Sequence, residues 1–215
     1  MNAQEIVYEH LKEKILAGIL RAGTTINPAT VGKELGVSRI PVREAMLQLK
    51  AQGLITFGAN GRPHVPRLTA SEIFELFDIR IALEVLAMER AVPRLERAVI
   101  RELEADLKRM EQAALRPKRW LALHDTFHNR IYAEAQMPRL LQEIVRHRQS
   151  IYPYLQMYVD HHGSPEIPGQ EHFALLNAIK SGNAEKAGQA LAEHIRKGAA
   201  GLLYGQMGGR DKLWR

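Results

Sequence analysis

The segment between residues 36 and 46 constrains the fold of this chain more than any other, because it reads as a tight turn between two helices. Gly36 follows an apolar helical pattern, at a position just past a helix end where a left-handed backbone costs little only for glycine. Ser38 is predicted to cap the next helix. Pro41 falls in the first turn of that helix, where a missing N–H group costs no intrahelical hydrogen bond.

The helix that follows the turn has two different faces. Val42, Met46 and Leu49 follow one another at steps of three and four residues and form an apolar face. Arg39 and Arg43 lie four residues apart on another face, at the positive end of the helix dipole, where they suit phosphates and the acceptor edge of guanine. This pattern predicts a DNA-recognition helix. Its predicted contact residues are Ser38, Arg39, Pro41 and Arg43.

A small hairpin is predicted after this helix. Residues 54–57 form a short run that favours β structure, residues 58–62 have turn chemistry, and His64 and Val65 stand between two prolines. Three helices followed by a hairpin are the outline of a winged helix-turn-helix domain, which we assign to residues 1–67. Arg62, at the hairpin tip, is predicted to reach the neighbouring groove or the DNA backbone.

The rest of the chain, residues 68–215, is predicted to be an all-helical bundle. Thr69 and Glu72 have the spacing of a capping box, and no strand signal follows them. The predicted helices span residues 70–92, 98–114, 118–134, 138–158, 168–181 and 184–204. The fold class is therefore mainly α, with a winged helix-turn-helix domain first.

Composition narrows the possible functions. The absence of cysteine excludes disulfides, thiolate metal sites and cysteine nucleophiles, and the net charge of +6 favours an acidic partner. No stretch approaches the length of a membrane span, and the first residues form a charged amphipathic helix rather than a signal peptide. We expect a cytoplasmic protein with no membrane partner.

Four histidines have a spacing that suits one metal ion. His124 and His128 are four residues apart on one predicted helix and so project from one face. His172 and His194 lie at comparable distances on either side of a predicted helical turn, which would bring them to one level in an antiparallel pair. Taken singly, each could be an ordinary hydrogen-bonded histidine. Together they predict a divalent metal site, whereas the loop pair His161 and His162 has no such spacing.

These motifs resemble known families. The resemblance to the DNA-binding domain of the GntR superfamily rests on Gly36-Val37-Ser38-Arg39, Pro41-Val42-Arg43-Glu44-Ala45, Gly53-Leu54-Ile55 and Gly61-Arg62. The later part resembles the helical FCD effector domain of the FadR branch, through Arg80-Ile81-Ala82-Leu83-Glu84, Phe127-His128, Met137-Pro138-Arg139-Leu140-Leu141, His172 and His194. Six predicted helices suggest its shorter, VanR-like form.

The resemblance implies a transcription regulator, expected here to be a repressor, that acts as a homodimer on a palindromic operator in double-stranded DNA. Two-fold symmetry also follows from the few base pairs that one recognition helix can read. Such domains bind small organic acids, often beside a metal ion. Arg80 matches the family's arginine in the first effector helix and is the main candidate to bind a carboxylate effector; the alternative is a pair with Glu84 one turn on. Arg148 is a second candidate.

The metal ligands depart from the family pattern at one position. Metal-containing members have an acidic or amide residue four positions before the first histidine, and this chain has His124 there. Either His124 or the adjacent Asp125 could complete the set with His128, His172 and His194. Four imidazoles favour a divalent transition metal, zinc or nickel, over magnesium or calcium.

Two other functions stay open at this stage. One is a metal-dependent enzyme with a nucleic-acid-targeting domain, for which Asp125 and Glu171 flank ligand candidates. The other is a direct sensor of the metal ion. No His-Glu-x-x-His or other known catalytic motif is present, so we predict that the chain is not an enzyme and has no catalytic residues.

Overall fold

A computed structural model describes residues 1–114, 116–162 and 168–208. The backbone forms two compact units. The N-terminal unit contains residues 1–72 and 146–157, and the helical unit contains residues 73–145 and the described part of the chain from residue 158. The mainly helical fold class predicted from the sequence is confirmed, with a single two-stranded sheet among the described residues.

Three helices and a hairpin make up the N-terminal unit before residue 70. They are α1 Ala3–Leu16, α2 Pro28–Leu35, α3 Arg39–Ala51, β1 Thr56–Phe57 and β2 Pro63–His64. Asn2 and Glu5 form a capping box at the start of α1, and the Asn27 side chain accepts hydrogen bonds from the first amides of α2. The apolar faces of these helices meet in one core, which includes Leu11, Ile15 and Leu49.

The turn between α2 and α3 has the predicted glycine conformation. Gly36 has a φ of 65°, in the left-handed region, and both its own N–H and that of Val37 bond to the carbonyl of Gly32. Ser38 occupies the capping position of α3 with an extended backbone. The prediction that Ser38 caps this helix is wrong in one respect, because its side chain makes no capping hydrogen bond.

The wing is shorter than the sequence run suggested. Thr56 pairs with His64 and Phe57 with Pro63 in antiparallel register, so each strand has two residues. The loop is closed by Asn60, whose side-chain oxygen accepts a hydrogen bond from the Arg62 amide at 3.0 Å. Proline cannot donate to a ladder, which limits the second strand.

Six α-helices follow in the part of the chain that the structure describes, each close to its predicted position. They are α4 Ala70–Ala91, α5 Arg97–Gln112, α6 Pro117–Ala133, α7 Pro138–His162, α8 Pro168–Lys180 and α9 Ala184–Gly208. A 3₁₀ turn at Val92–Arg94 ends the first of them earlier than predicted. The capping box at α4 is confirmed: Thr69 N–H donates to Glu72 at 2.7 Å, and Glu72 N–H donates to the Thr69 hydroxyl at 3.2 Å. The predicted break at residues 163–165 lies outside the described residues.

Helix α7 extends past its predicted end and contributes its middle to the N-terminal unit. There the Tyr154 hydroxyl donates to the carbonyl of Pro66 at 2.7 Å and accepts from the amide of Leu68 at 2.6 Å. Burial raises the pKa of Tyr154 to about 12, so this hydroxyl stays protonated at neutral pH. The chain segment just after the wing is therefore tied to α7.

Packing in the helical unit joins α5 to α6 and α8, and α8 to α9. Asp106 is fully buried on α5 and binds two arginines, Arg109 on the same helix and Arg130 on α6, each at 2.7 Å. On α6, Phe127 and Ile131 are near Arg130 in the sequence and are fully buried. These contacts fix the face that α6 turns inward. Among the described residues, no helix is both long and apolar enough to span a bilayer.

Candidate functional site

Four histidines from three helices meet inside the helical unit. His124 and His128 come from α6, His172 from α8 and His194 from α9. Their ligand-capable nitrogens all lie within 4.8 Å of one another. His128 and His172 are buried, and His124 and His194 are half-buried. We call this group the histidine cluster.

Local sequence explains why the cluster forms. The four-residue step on α6 places the rings of His124 and His128 with centroids 4.5 Å apart. Gly182, with a φ of 69°, turns the chain between α8 and α9, and the Asn183 side chain accepts a hydrogen bond from the amide of Lys186 to start α9. The two helices return antiparallel, which brings the rings of His172 and His194 to a centroid separation of 4.4 Å.

The donor set of the cluster fits a borderline divalent ion. Imidazole nitrogens suit zinc, nickel or copper, whereas magnesium and calcium need oxygen ligands. Nδ1 of His194 is buried, and within the part of the chain that the structure describes its nearest polar partner is the Glu171 carboxylate at 3.5 Å, a long contact that leaves the nitrogen poorly satisfied without an ion. Asp125, the alternative fourth ligand, is not part of the group, and its carboxylate lies 3.8 Å from Nδ1 of His124.

A carboxylate lies at the solvent side of the cluster. Glu171 on α8 is 3.5 Å from Nδ1 of His194 and 3.5 Å from the Lys197 ammonium. The contact with His194, followed by the charge of Lys197, holds the pKa of Glu171 below its ordinary value. These three side chains line an open groove of about 440 Å³ between α8 and α9. The groove gives solvent access to the edge of the cluster.

Arg80 lies in an ion pair, as in the alternative drawn from the sequence. Its Nε donates to Glu84 at 2.7 Å, and the guanidinium stands 5.0 Å from the Phe77 ring centre. Unlike an ordinary helix-surface pair, both partners are buried, with Glu84 only 1% exposed. The pair uses Nε alone, so the two terminal nitrogens have no hydrogen-bond partner among the described residues.

Tyr132, beside the cluster, was not singled out from the sequence, and Glu84 was named there only as a possible partner of Arg80. The Tyr132 hydroxyl donates to Glu84 at 2.6 Å and lies 3.1 Å from Nδ1 of His128. Tyr132 is four residues after His128 on α6, so helical spacing was a signal for it. Nothing in the sequence showed that Glu84, on α4, would meet this face of α6.

Arg148, the second candidate for effector binding, is buried in the part of α7 that belongs to the N-terminal unit.

The predicted DNA-contacting residues of the N-terminal unit are mostly exposed. Ser38, Arg39 and Arg43 are exposed on α3, Pro41 is half-buried, and Arg62 is exposed in the wing. None of these three arginines is in an ion pair within the described ranges. The opposite face of α3 is the buried one, with Val42 and Leu49 fully buried. The arginines are therefore available to an anionic partner.

A winged helix unit with exposed arginines and a separate helical unit with an interior polar site define a class of two-part DNA-binding regulators. Two family models match the chain: residues 3–62 match that described as bacterial regulatory proteins, gntR family, and residues 75–197 match the FCD domain. The chain belongs to the GntR family of transcription regulators and carries an FCD domain.

Individual relatives agree with this assignment over most of their length. The chain is 29% identical over 193 residues to YdhC, an uncharacterised HTH-type transcriptional regulator of Bacillus subtilis, which covers 87% of this chain and 85% of that protein. It is 23% identical over 193 residues to the HTH-type transcriptional repressor RspR of Escherichia coli, covering 89% and 85%. The solved structure of E. coli McbR/YncC has 25% identity, covers 95% of this chain and 98% of that one, and gives a TM-score of 0.81.

Proposed function

We propose that this regulator is a homodimeric, cytoplasmic repressor whose operator binding responds to a small carboxylate bound beside a metal ion in the helical unit. The observation that carries the proposal is the histidine cluster, because ligand-capable nitrogens of four imidazoles from three helices lie within 4.8 Å of one another, as the ligands of one transition-metal ion do. The name of one relative, the repressor RspR, supports the sign of regulation. The comparisons do not favour the alternative of a metal-dependent enzyme.

The roles of the residues follow from their chemistry. His124, His128, His172 and His194 would hold a zinc or nickel ion, which when bound supplies a positive charge that attracts a carboxylate. Arg80 would bind the carboxylate through its two terminal nitrogens while Nε stays on Glu84. Arg148, the second arginine predicted from the sequence to bind a carboxylate, belongs to the N-terminal unit and has no part in this site as proposed. Arg39, Arg43 and Arg62 would contact DNA, with Ser38 and Pro41 beside them at the start of α3.

Metal analysis of the purified protein tests the central claim. We expect close to one zinc or nickel ion per chain, and loss of the ion in His172→Ala and His194→Ala. His10→Gln is a matched control, since His10 is in the N-terminal unit beside Glu34 and should not change metal content. Because an ion that binds only the folded state stabilises it, chelation should lower the melting temperature. A wild-type protein without metal, and without any thermal shift on adding zinc or nickel, would refute the proposal.

Binding assays with a panel of small carboxylates test the response. DNA fragments selected by the protein from a random pool supply the operator, and light scattering of the free protein shows whether it is a dimer. We expect one class of carboxylates to release the operator from the metal-loaded protein but not from the chelated protein. If metal alone releases the operator, the chain is a direct metal sensor, and the proposal of a carboxylate effector is wrong.

A further inference from the structure

A line of hydrogen bonds leads from Arg80 to the histidine cluster. Arg80 donates to Oε1 of Glu84 at 2.7 Å, the Tyr132 hydroxyl donates to Oε2 of Glu84 at 2.6 Å, and the Tyr132 oxygen lies 3.1 Å from Nδ1 of His128. All four side chains are buried, so water does not compete for these bonds. The contact of His194 with Glu171, at 3.5 Å, is longer than any bond in this line.

Proton counting fixes the direction of each bond in this line. The Glu84 carboxylate, held by the Arg80 guanidinium, can only accept hydrogen bonds. The single hydroxyl proton of Tyr132 must therefore point to Glu84. The Tyr132 oxygen is left as an acceptor, and the only proton that His128 can offer it is the one on Nδ1.

This direction determines which nitrogen of His128 can bind a metal. A neutral imidazole has one N–H group and one lone pair. With the proton on Nδ1, the lone pair is on Nε2, at the far side of the ring from Tyr132. The ring enters the histidine cluster in the form that can ligate an ion, without a change of tautomer or orientation.

We propose that Tyr132 is a positioning residue for the metal site: with Glu84 and Arg80 behind it, it holds His128 in the Nδ1–H tautomer and aims Nε2 at the cluster. The proposal rests on the proposed metal function of the cluster. Its role differs from that of the ligands, because Tyr132 acts only through His128. An outer partner of this kind changes metal affinity by about 10- to 100-fold in known metal sites.

The tautomer can be measured without any metal. Long-range ¹H–¹⁵N correlation spectra of the chelated wild-type protein distinguish a protonated ring nitrogen from one with a lone pair, and the His128→Asn spectrum assigns the signals. We expect His128 to be in the Nδ1–H form. A proton on Nε2 in the wild-type protein would overturn the proposal, and this test needs no variant to fold.

Tyr132→Phe removes the hydroxyl and keeps the ring. We expect a mixture of His128 tautomers in the chelated variant, and Co²⁺ affinity lower by about 10- to 100-fold, with a changed visible spectrum of the bound Co²⁺. Glu84→Gln is the second variant. Its amide can donate to Tyr132, so the hydroxyl proton can turn to His128 and favour the wrong tautomer. We expect a similar loss of affinity.

Tyr154→Phe is the matched control. It also removes a buried hydroxyl with two hydrogen bonds, but in the N-terminal unit, so tautomer and Co²⁺ affinity should stay at wild-type values. Wild-type affinity and spectrum in folded Tyr132→Phe would overturn the positioning role and leave the metal site standing. Absence of Co²⁺ binding to the wild-type protein would instead refute the proposed metal function, while the tautomer measurement would still decide the role of Tyr132.

Discussion

The arginines singled out in the two units of this protein differ in exposure and in ion pairing. Arg39 and Arg43 are exposed on α3 without ion pairs among the described residues, whereas Arg80 is buried and bound to Glu84. An exposed charge is solvated by water and costs little folding free energy, so it needs no partner within the fold and is available to bind a phosphate group. A buried charge must be satisfied within the fold. The difference teaches that exposed arginines without ion pairs mark the face proposed to bind DNA, whereas a buried, paired arginine marks the proposed effector site.

The largest effect is expected at the buried end of this comparison. Arg80→Gln leaves the Glu84 carboxylate in the interior without its cation, which should cost about 3–5 kcal/mol of folding free energy. Denaturant unfolding of the metal-free wild-type and variant proteins measures this loss of folding free energy. Arg119→Gln, an exposed arginine on α6, should change the stability by less than about 0.5 kcal/mol.

The double variant Arg80→Gln with Glu84→Gln sharpens this result. Because the two residues share one ion pair, their effects should not add, and the double variant should be less destabilised than the sum of the two single variants. Additive losses would mean that the pair contributes nothing as a pair. The rule that a buried arginine needs an ion-pair partner within the fold would then not hold for Arg80.

A middle-sized effect is expected at the exposed end. Arg43→Ala should weaken binding to the specific operator by about 1–3 kcal/mol if Arg43 reads a base, without change in folding stability. Salt titration separates the two possible contacts, because loss of a phosphate contact lowers the salt slope for every sequence, whereas loss of a base contact lowers specificity. Arg101→Ala removes the same charge from an exposed position on α5 and serves as the control.

The outcome that would break the comparison is equal operator binding by Arg43→Ala, Arg39→Ala and the wild-type protein. In that case exposure and absence of ion pairs would not indicate DNA contact in this unit. An equal loss in Arg101→Ala would point instead to net charge alone as the cause.

The sequence predicted those features that depend on local order. Gly36 at the turn and the steps of Val42, Met46 and Leu49 are set by neighbours within a few residues, and helix propensity and apolar periodicity report such neighbours directly. The approach of His172 to His194 could also be predicted, because a short turn between two helices leaves few ways to pair them.

Features that depend on distant contacts could not be predicted in the same way. Glu84 and Tyr132 are 48 positions apart, and periodicity shows which face of a helix is apolar but not which helix will cover it. The place of residues 146–157 in the N-terminal unit has the same origin, since Tyr154 reaches Pro66 and Leu68 across more than 80 positions. The capping bond of Ser38 failed for another reason: sequence gives a side chain's type but not its rotamer.

The smallest effect is expected at Ser38, where a role in capping the helix can be separated from a role in binding DNA. A capping serine replaced by alanine usually costs about 1 kcal/mol, but Ser38 makes no capping hydrogen bond, so Ser38→Ala should change the folding free energy by only a few tenths of a kcal/mol. Its exposed hydroxyl, beside Arg39, remains available to a phosphate oxygen. We therefore expect a small loss of operator affinity with unchanged stability. Asn27→Ala, which removes a side chain that does cap α2, should show a loss of about 1 kcal/mol in the same unfolding experiment. Equal destabilisation by the two substitutions would show that Ser38 caps α3 in solution. Its hydroxyl would then be hydrogen-bonded within the fold, as the buried polar groups of the helical unit are, and not available to DNA.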